Sequence, residues 1–305
     1  MMSYSFVFPG QGSQAVGMLA ELYDQEPIIA ATFDEASALL GYDLWQVVKE
    51  GPAEELNKTE ITQPAILVAS VACYRVWLDK GLDAPIAMSG HSLGEYSALV
   101  CAGALSFADA VTLVRDRGRF MQAAVAEGEG AMAAVLGLDD AAVIDVCESA
   151  ANGNVLSAAN FNSPGQVVIA GASDAVARAA DLAKERGAKR ALVLPVSVPS
   201  HCLLMKPAAE QLTESLNNLE INAPVIPVIH NVDGKTHSQP DEIRQALIEQ
   251  LYVSVRWVDC VNQLASYQAD QIIECGPGKV LAGLIKRIDR SLATRNLIAK
   301  SDFVA

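Results

Sequence analysis

The feature that most constrains the fold is the passage from APIAMS into GHSLGEYSALV, over residues 84–100. A short apolar run reaches two glycines that flank a serine, Gly90-His91-Ser92-Leu93-Gly94, and helix-forming residues follow. This order is typical of a buried strand, a sharp turn and a helix. It predicts an α/β protein in which the turn presents Ser92 at the carboxyl end of a strand. An ordinary tight turn would have the same pattern, so the serine is at this point only a candidate nucleophile.

The rest of the chain alternates apolar runs with amphipathic segments, which also predicts an α/β fold. Residues 131–196 are predicted to follow the order β-α-β-β-α-β, which is the ferredoxin-like pattern. We therefore expect an α/β-hydrolase-like core with a mostly parallel sheet, and an inserted ferredoxin-like (βαββαβ) subdomain. The predicted boundaries are 1–125 and 198–305 for the catalytic core, and 126–197 for the subdomain.

Four expectations within the core concern the segments after the inserted subdomain. The run PVIPVIHN predicts a strand over 224–231, and a helix is expected near 201–217. A further strand is expected at QIIECG, over 271–276, with a helix near 278–290.

Composition limits the possible classes of function. The net charge of −14 disfavours a nucleic-acid partner, because phosphate binding needs a basic surface. The six cysteines are scattered without zinc-like spacing, which indicates a reducing environment. There is no uncharged apolar run of 18 residues, and the first residues carry no basic segment that would indicate a secretory signal. We therefore expect a cytoplasmic, monomeric protein that contains no metal.

A nucleophilic serine needs a base within hydrogen-bonding distance, and four histidines are available. His201 in PVSVPSHCLLM is the best candidate, because a histidine at a helix N-terminus tends to stay neutral, as a general base must. His91 is adjacent to Ser92 and would point away, whereas His230 and His237 have no supporting context. The aspartates between Ser92 and His201 fit helix caps or solvated faces better than a triad, so a carbonyl could orient the base instead.

An arginine lies on the apolar face of the predicted helix 106–125, where Ser106 and an aspartate three residues later suggest a capping box. Arg117 lies between Leu113 and Val114 on one side and Phe120 and Met121 on the other. A buried guanidinium must be paired. The partner would be either an internal carboxylate or the carboxylate of a substrate, bound in a bidentate manner.

The glycine-rich start, GQGSQA at residues 10–15, matches the dinucleotide fingerprint G-x-G-x-x-A. No strand that ends in an acidic residue follows at the distance such a site requires. The alternative is a turn whose backbone N–H groups face an oxyanion. It would supply a second donor beside the N–H of Leu93.

Six segments occur in an order that resembles a known family: PGQGSQ, GHSLGEYSALV, RGRFMQ, FNSPGQVVIAG, PVSVPSH and ECGPGKVL. Together they resemble the malonyl-CoA:acyl carrier protein transacylases, the acyltransferases of bacterial fatty acid synthesis. The resemblance covers nearly the whole chain.

The resemblance implies a role for each matching residue. Ser92 would carry the acyl group and His201 would be its base. Gln11 and Leu93 would supply the oxyanion-hole N–H groups, and Gln11 would also contact substrate. The backbone carbonyl of Gln250 would orient His201. Two further residues, Arg117 and Gln63, would bind the substrate.

The function that the resemblance implies is ping-pong transfer of malonyl from malonyl-CoA, through a Ser92 ester, to the phosphopantetheine thiol of acyl carrier protein. No cofactor is expected, since the coenzyme A thioester is a substrate. There are two alternatives: a thioesterase that uses the same serine and histidine, and a nucleotide-binding module built on GQGSQA. Docking of the carrier, typically acidic, would need a basic patch. The candidates are Lys184, Arg186, Lys189 and Arg190, and Lys279, Lys286 and Arg287.

Overall fold

The computed structural model describes residues 2–196 and 198–304 and contains two separate sheets. Ser197, the last residue of the predicted subdomain, lies outside the described residues, as do the terminal Met1 and Ala305. The strands in chain order are β1 (Tyr4–Phe8), β2 (Ala87–Gly90), β3 (Gly130–Leu136), β4 (Leu156–Ser163), β5 (Gln166–Ala172), β6 (Arg190–Val193), β7 (Val228–Ile229), β8 (Gln271–Cys275) and β9 (Thr294–Leu297).

Thirteen α-helices connect these strands within the described part of the chain. They are α1 (Ala20–Gln25), α2 (Pro27–Leu40), α3 (Leu44–Glu50), α4 (Ala53–Leu56), α5 (Thr59–Asp79), α6 (Gly94–Cys101), α7 (Phe107–Ala123), α8 (Asp140–Ala151), α9 (Ser173–Glu185), α10 (Lys206–Asn217), α11 (Pro240–Glu249), α12 (Trp257–Ser266) and α13 (Val280–Ile288). Helix α5 has the length and composition of a membrane span, but 83% of its apolar window is buried inside the protein. It is a central core helix.

The larger sheet has the strand order β7-β2-β1-β8-β9, and every pairing in it is parallel. The register between β1 and β2 pairs Phe8 with Gly90. Both strands therefore end at the same edge, and the loops that follow them lie side by side. This is the edge at which parallel α/β sheets usually bind ligands.

The smaller sheet is antiparallel, with the strand order β4-β5-β3-β6. Helices α8 and α9 pack against it to give the order β3-α8-β4-β5-α9-β6, with a hydrophobic core separate from that of the larger sheet. The predicted α/β fold class, with a parallel sheet and a ferredoxin-like unit, is confirmed. The exact domain boundaries remain a prediction.

Several local predictions differ from the structure. The strand expected over 224–231 is reduced to Val228–Ile229, because Pro224 and Pro227 cannot donate ladder hydrogen bonds. The helix expected near 201–217 starts with a 3-10 turn, Leu203–Met205, and its α-helical part begins only at Lys206. Helix α12 and strand β9 have no counterpart among the sequence predictions. In contrast, the predicted cap of α7 is present, since the Ser106 side chain accepts a hydrogen bond from the Asp109 N–H.

Candidate active site

Ser92 lies in a sharp turn between β2 and α6, with a left-handed backbone (φ 52°). The two flanking glycines are required by close backbone packing. A Cβ at Gly90 would lie 1.9 Å from the carbonyl carbon of Gly94, and a Cβ at Gly94 would lie 2.0 Å from the carbonyl oxygen of Phe8. The sequence therefore folds here into a strained turn that presents the serine at the sheet edge.

His201 lies beside this serine. Its Nε2 is 2.8 Å from Ser92 Oγ, and its Nδ1 is 2.6 Å from the backbone carbonyl oxygen of Gln250. Because a carbonyl can only accept, Nδ1 carries the proton, and the lone pair of Nε2 faces the serine. Burial and the nearby Arg117 lower the pKa of His201 from 6.5 to about 3. The imidazole is therefore neutral and can accept the serine proton.

The other three histidines have partners other than Ser92, although His91 and its partner Asn162 line the same cavity. His91 Nε2 lies 2.8 Å from Asn162 Oδ1 in the smaller sheet. His230 Nδ1 lies 2.8 Å from Glu95 Oε1, and His237 Nε2 lies 3.0 Å from Asp233 Oδ2. Of the four histidines, the structure brings only His201 to Ser92.

Arg117 is buried (1% exposed) and points toward the serine. Its Nη1 donates to Gln63 Oε1 at 2.8 Å, and its Nη2 donates to Gln250 Oε1 at 3.0 Å and approaches Ser92 Oγ at 3.4 Å. No carboxylate among the described residues pairs with it, and its Nε has no partner there. Burial lowers the pKa of this guanidinium. An unpaired buried cation of this kind provides a site for an anionic ligand group.

Gln11 and Leu93, whose backbone N–H groups are the predicted oxyanion donors, line the same cavity as the serine. Neither donates a hydrogen bond within the described chain. The loop that carries Gln11 reaches the elbow because Gly10 has no side chain: a Cβ there would lie 2.4 Å from the carbonyl oxygen of His91. The two N–H groups can thus stabilise an oxyanion.

The cavity has a volume of about 260 Å³ and lies between the larger and the smaller sheet. The elbow contributes Ser92 and Leu93 to its lining, together with the buried His201 and Arg117. The smaller sheet contributes apolar side chains, among them Met132 and Val168, and polar ones that include Asn160 and Gln166. No group of three or more metal-binding side chains occurs within residues 2–196 and 198–304.

The sequence model of the acyl transferase domain matches residues 5–297 of this chain. The chain belongs to the acyl transferase domain family. The malonyl CoA-acyl carrier protein transacylase of Escherichia coli (strain K12) is 59% identical over 305 residues, which covers 100% of this chain and 99% of that protein. The Haemophilus influenzae protein of the same name is 61% identical over 289 residues, or 94% and 93% of the two chains.

Solved structures agree with this family assignment. An acyl carrier protein S-malonyltransferase from Vibrio cholerae superposes with a TM-score of 0.96 at 57% identity, covering 98% of each chain. A malonyl-transacylase in complex with its type II PKS acyl-carrier protein superposes with a TM-score of 0.97 at 53% identity, covering 99% of this chain and 97% of that one.

In this acyl transferase domain, two residues that contact the elbow were missed by sequence reasoning. Asn231 Oδ1 accepts a hydrogen bond from the Ser92 N–H at 2.7 Å, and Asn231 Nδ2 donates to the Gly90 carbonyl at 2.7 Å. Glu95, fully buried, accepts a hydrogen bond from the Asn231 N–H at 2.9 Å. The sequence feature that could have indicated Asn231 is the polar pair His230-Asn231 at the carboxyl end of an apolar run.

Proposed function

We propose that this protein transfers malonyl groups from malonyl-CoA to acyl carrier protein, as the names of its relatives state for those proteins. One observation carries the proposal: a Ser92–His201 pair shares its cavity with a buried arginine that has no carboxylate partner among the described residues. The serine supplies acyl transfer, and the arginine selects an acyl group that ends in a carboxylate.

In the first half-reaction, Ser92 Oγ attacks the thioester carbonyl carbon while its proton moves to His201 Nε2. The oxyanion that forms accepts hydrogen bonds from the N–H groups of Gln11 and Leu93. As the tetrahedral intermediate collapses, the C–S bond breaks, and the coenzyme A sulfur takes the proton from His201. The products are free coenzyme A and a malonyl ester on Ser92.

The second half-reaction reverses these steps with a different thiol. The phosphopantetheine thiol of the carrier gives its proton to His201 Nε2 and attacks the ester carbonyl. The C–O bond breaks, Ser92 Oγ recovers the proton, and malonyl leaves as a thioester of the carrier. The chemistry uses only side chains and backbone groups, so no cofactor is needed.

The Gln250 carbonyl takes the place of the acid in a Ser-His-Asp triad. It fixes the Nδ1–H tautomer of His201, as the aspartate of a triad would. It adds no negative charge, so the pKa of His201 stays low and the base stays neutral. Arg117 binds the malonyl carboxylate, and Gln63 holds the guanidinium from its other side.

The carrier docks on basic residues near the cavity entrance. Of the first predicted cluster, Lys184 and Arg186 are neutralised by ion pairs with aspartates. Lys189 and Arg190 are exposed and lack a carboxylate partner in the described chain. They are available to a carrier with acidic side chains.

In the second cluster, Lys286 and Arg287 lie on α13, and Lys279 immediately precedes that helix. Arg287 is exposed and donates a hydrogen bond to Gln166, a residue that also lines the cavity. Lys189 and Arg287 border one surface depression, which Asp139 also lines and which shares Gln166 with the cavity, so the two clusters adjoin each other beside the cavity. Six cysteines, all free, fit the reducing cytoplasm in which we place the enzyme.

The test is incubation with malonyl-CoA followed by intact-mass measurement of the protein. A malonyl adduct is expected on the wild type and not on Ser92→Ala, and holo-carrier protein should then discharge it. Formation of the same adduct on Ser92→Ala would refute the assignment of the nucleophile. Discharge to water at the same rate with and without carrier would indicate a thioesterase.

A further inference from the structure

A buried carboxylate, Glu95, lies behind the active site and takes no part in the reaction described above. It is the second residue of α6, and it is 0% exposed, as are His230, Asn231 and Gln250 around it. No lysine or arginine in the described chain pairs with it. Burying a charge without such a partner is costly unless hydrogen bonds replace the lost water. What this carboxylate holds in place therefore indicates its function.

Two fixed donors meet at one oxygen of Glu95. Its Oε2 accepts hydrogen bonds from Gln250 Nε2 and from the Asn231 N–H, each at 2.9 Å. Its Oε1 lies 2.8 Å from His230 Nδ1. Each of the first two donors belongs to a residue that also contacts the site of reaction.

The first of these residues connects Glu95 to the substrate-binding arginine. Gln250 Oε1 accepts from Arg117 Nη2 at 3.0 Å, and Gln250 Nε2 donates to Glu95 Oε2 and to the Ser92 carbonyl at 3.0 Å. A guanidinium can only donate and a carboxylate can only accept. If the amide flipped, its NH₂ would face the guanidinium and its oxygen would face the carboxylate. Glu95 therefore fixes the amide in the orientation that gives Arg117 its acceptor.

The second residue connects Glu95 to the nucleophile elbow. Asn231, held by its N–H to Glu95, accepts from the Ser92 N–H and donates to the Gly90 carbonyl. Ser92 has a left-handed backbone, which is unfavourable for a residue with a Cβ. Both polar backbone groups of Ser92 are thus held by residues that Glu95 positions.

We propose that Glu95 is a positioning residue for acyl-group selection. Its hydrogen bonds to Gln250 and Asn231 set the placement of Arg117 relative to Ser92, and this placement favours a malonyl over an acetyl group. The proposal rests on the proposed function, because it requires that Arg117 bind the malonyl carboxylate. It also assigns the effect to hydrogen-bond geometry and not to the negative charge of Glu95.

Two variants separate geometry from charge. In Glu95→Gln the charge is lost, but the amide oxygen can replace Oε2 and accept from both donors. The new NH₂ can then donate to His230 Nδ1, since His230 Nε2, which has no partner in the described chain, can carry the ring proton. In Glu95→Asp the charge is kept, but the carboxylate is withdrawn by one methylene, about 1.5 Å. It then no longer reaches Gln250 Nε2.

The measurement is the ratio of malonyl to acetyl ester on Ser92 when both coenzyme A thioesters compete, read by intact mass. This ratio does not depend on the fraction of active enzyme, so a purely structural defect leaves it unchanged. We expect Glu95→Gln to stay within about twofold of the wild type. Glu95→Asp should lower the ratio roughly tenfold, as expected for the loss of one hydrogen bond to a charged group.

Each other result contradicts the proposal. If Glu95→Gln lowered the malonyl-to-acetyl ratio and Glu95→Asp did not, the effect would be due to the charge. If the ratio were unchanged in both variants, Glu95 would contribute to folding and not to acyl-group selection. If Glu95→Asp does not fold, Gln250→Met replaces it, since it keeps the backbone carbonyl for His201 and removes the amide. An unchanged ratio in Gln250→Met would then overturn the proposal. Failure of the wild type to form a malonyl ester would instead refute the proposed function.

Discussion

Replacement of Arg117 by alanine tests the origin of substrate selection most directly. The guanidinium is 1% exposed, lies 5.3 Å from the centroid of the Tyr96 ring, and donates hydrogen bonds only to amide and hydroxyl oxygens in the described chain. Its charge is therefore available to a malonyl carboxylate. The loss of one partner of a buried charge pair costs about 3 kcal/mol. That free energy corresponds to roughly a 150-fold loss in the kcat/KM of malonyl relative to acetyl.

The assay is competition between malonyl-CoA and acetyl-CoA, with the Ser92 esters separated by mass. The alanine variant also leaves Gln63 Oε1 and Gln250 Oε1 without their donor, but this defect slows both acyl groups and cancels in the ratio. Arg119→Ala is the matched control, because Arg119 lies on the same helix with a side chain that is 58% exposed. A malonyl preference that is unchanged in Arg117→Ala would refute the reasoning.

Four further predictions concern the base, the elbow and the carrier. Burial and Arg117 lower the pKa of His201 from 6.5 to about 3, so the pH profile of kcat/KM should show no titration of this base near pH 6.5. In Arg117→Ala the pKa of His201 should rise, so the fall of kcat/KM at acidic pH should begin at a higher pH. Between these pKa values the unfolded chain binds a proton that the folded enzyme does not, so the free energy of unfolding should decrease as the pH falls below about 6.5. Gly94→Ala should lower the free energy of unfolding in urea by about 3 kcal/mol, because the new Cβ would overlap the Phe8 carbonyl oxygen. Gly283→Ala is the control and should leave this free energy unchanged, because no atom lies within 4 Å of its new Cβ. Charge reversal at Lys286 and Arg287 should raise the KM for carrier protein and leave that for malonyl-CoA unchanged, and equal effects on both would exclude this surface from docking.

Features that depend on local sequence could be predicted without the structure. The elbow follows from an apolar strand, two glycines and a helix, because close packing at Gly90 and Gly94 excludes side chains. The inward direction of Arg117 follows from helical periodicity alone, and the structure buries it as expected. The order of strands and helices within 131–196 could also be predicted, because the apolar residues of each element follow a helix or strand period and turn-forming residues separate the elements.

Contacts between distant segments were decided only by the tertiary structure. Arg117 meets amide oxygens that lie 54 and 133 positions away, and no local pattern favours those over a buried carboxylate. The network of Glu95, Asn231 and the Gln250 side chain was not predicted, because its members come from three separate elements.

The sequence by itself determined that a strained serine turn and an inward arginine exist, since steric limits and helical period act over a few residues. Only the packing of the parallel sheet placed His201, the Gln250 carbonyl and the Gln11 loop around that serine. Strand order depends on burial across the whole chain, so the site forms only when segments far apart in sequence share one sheet edge.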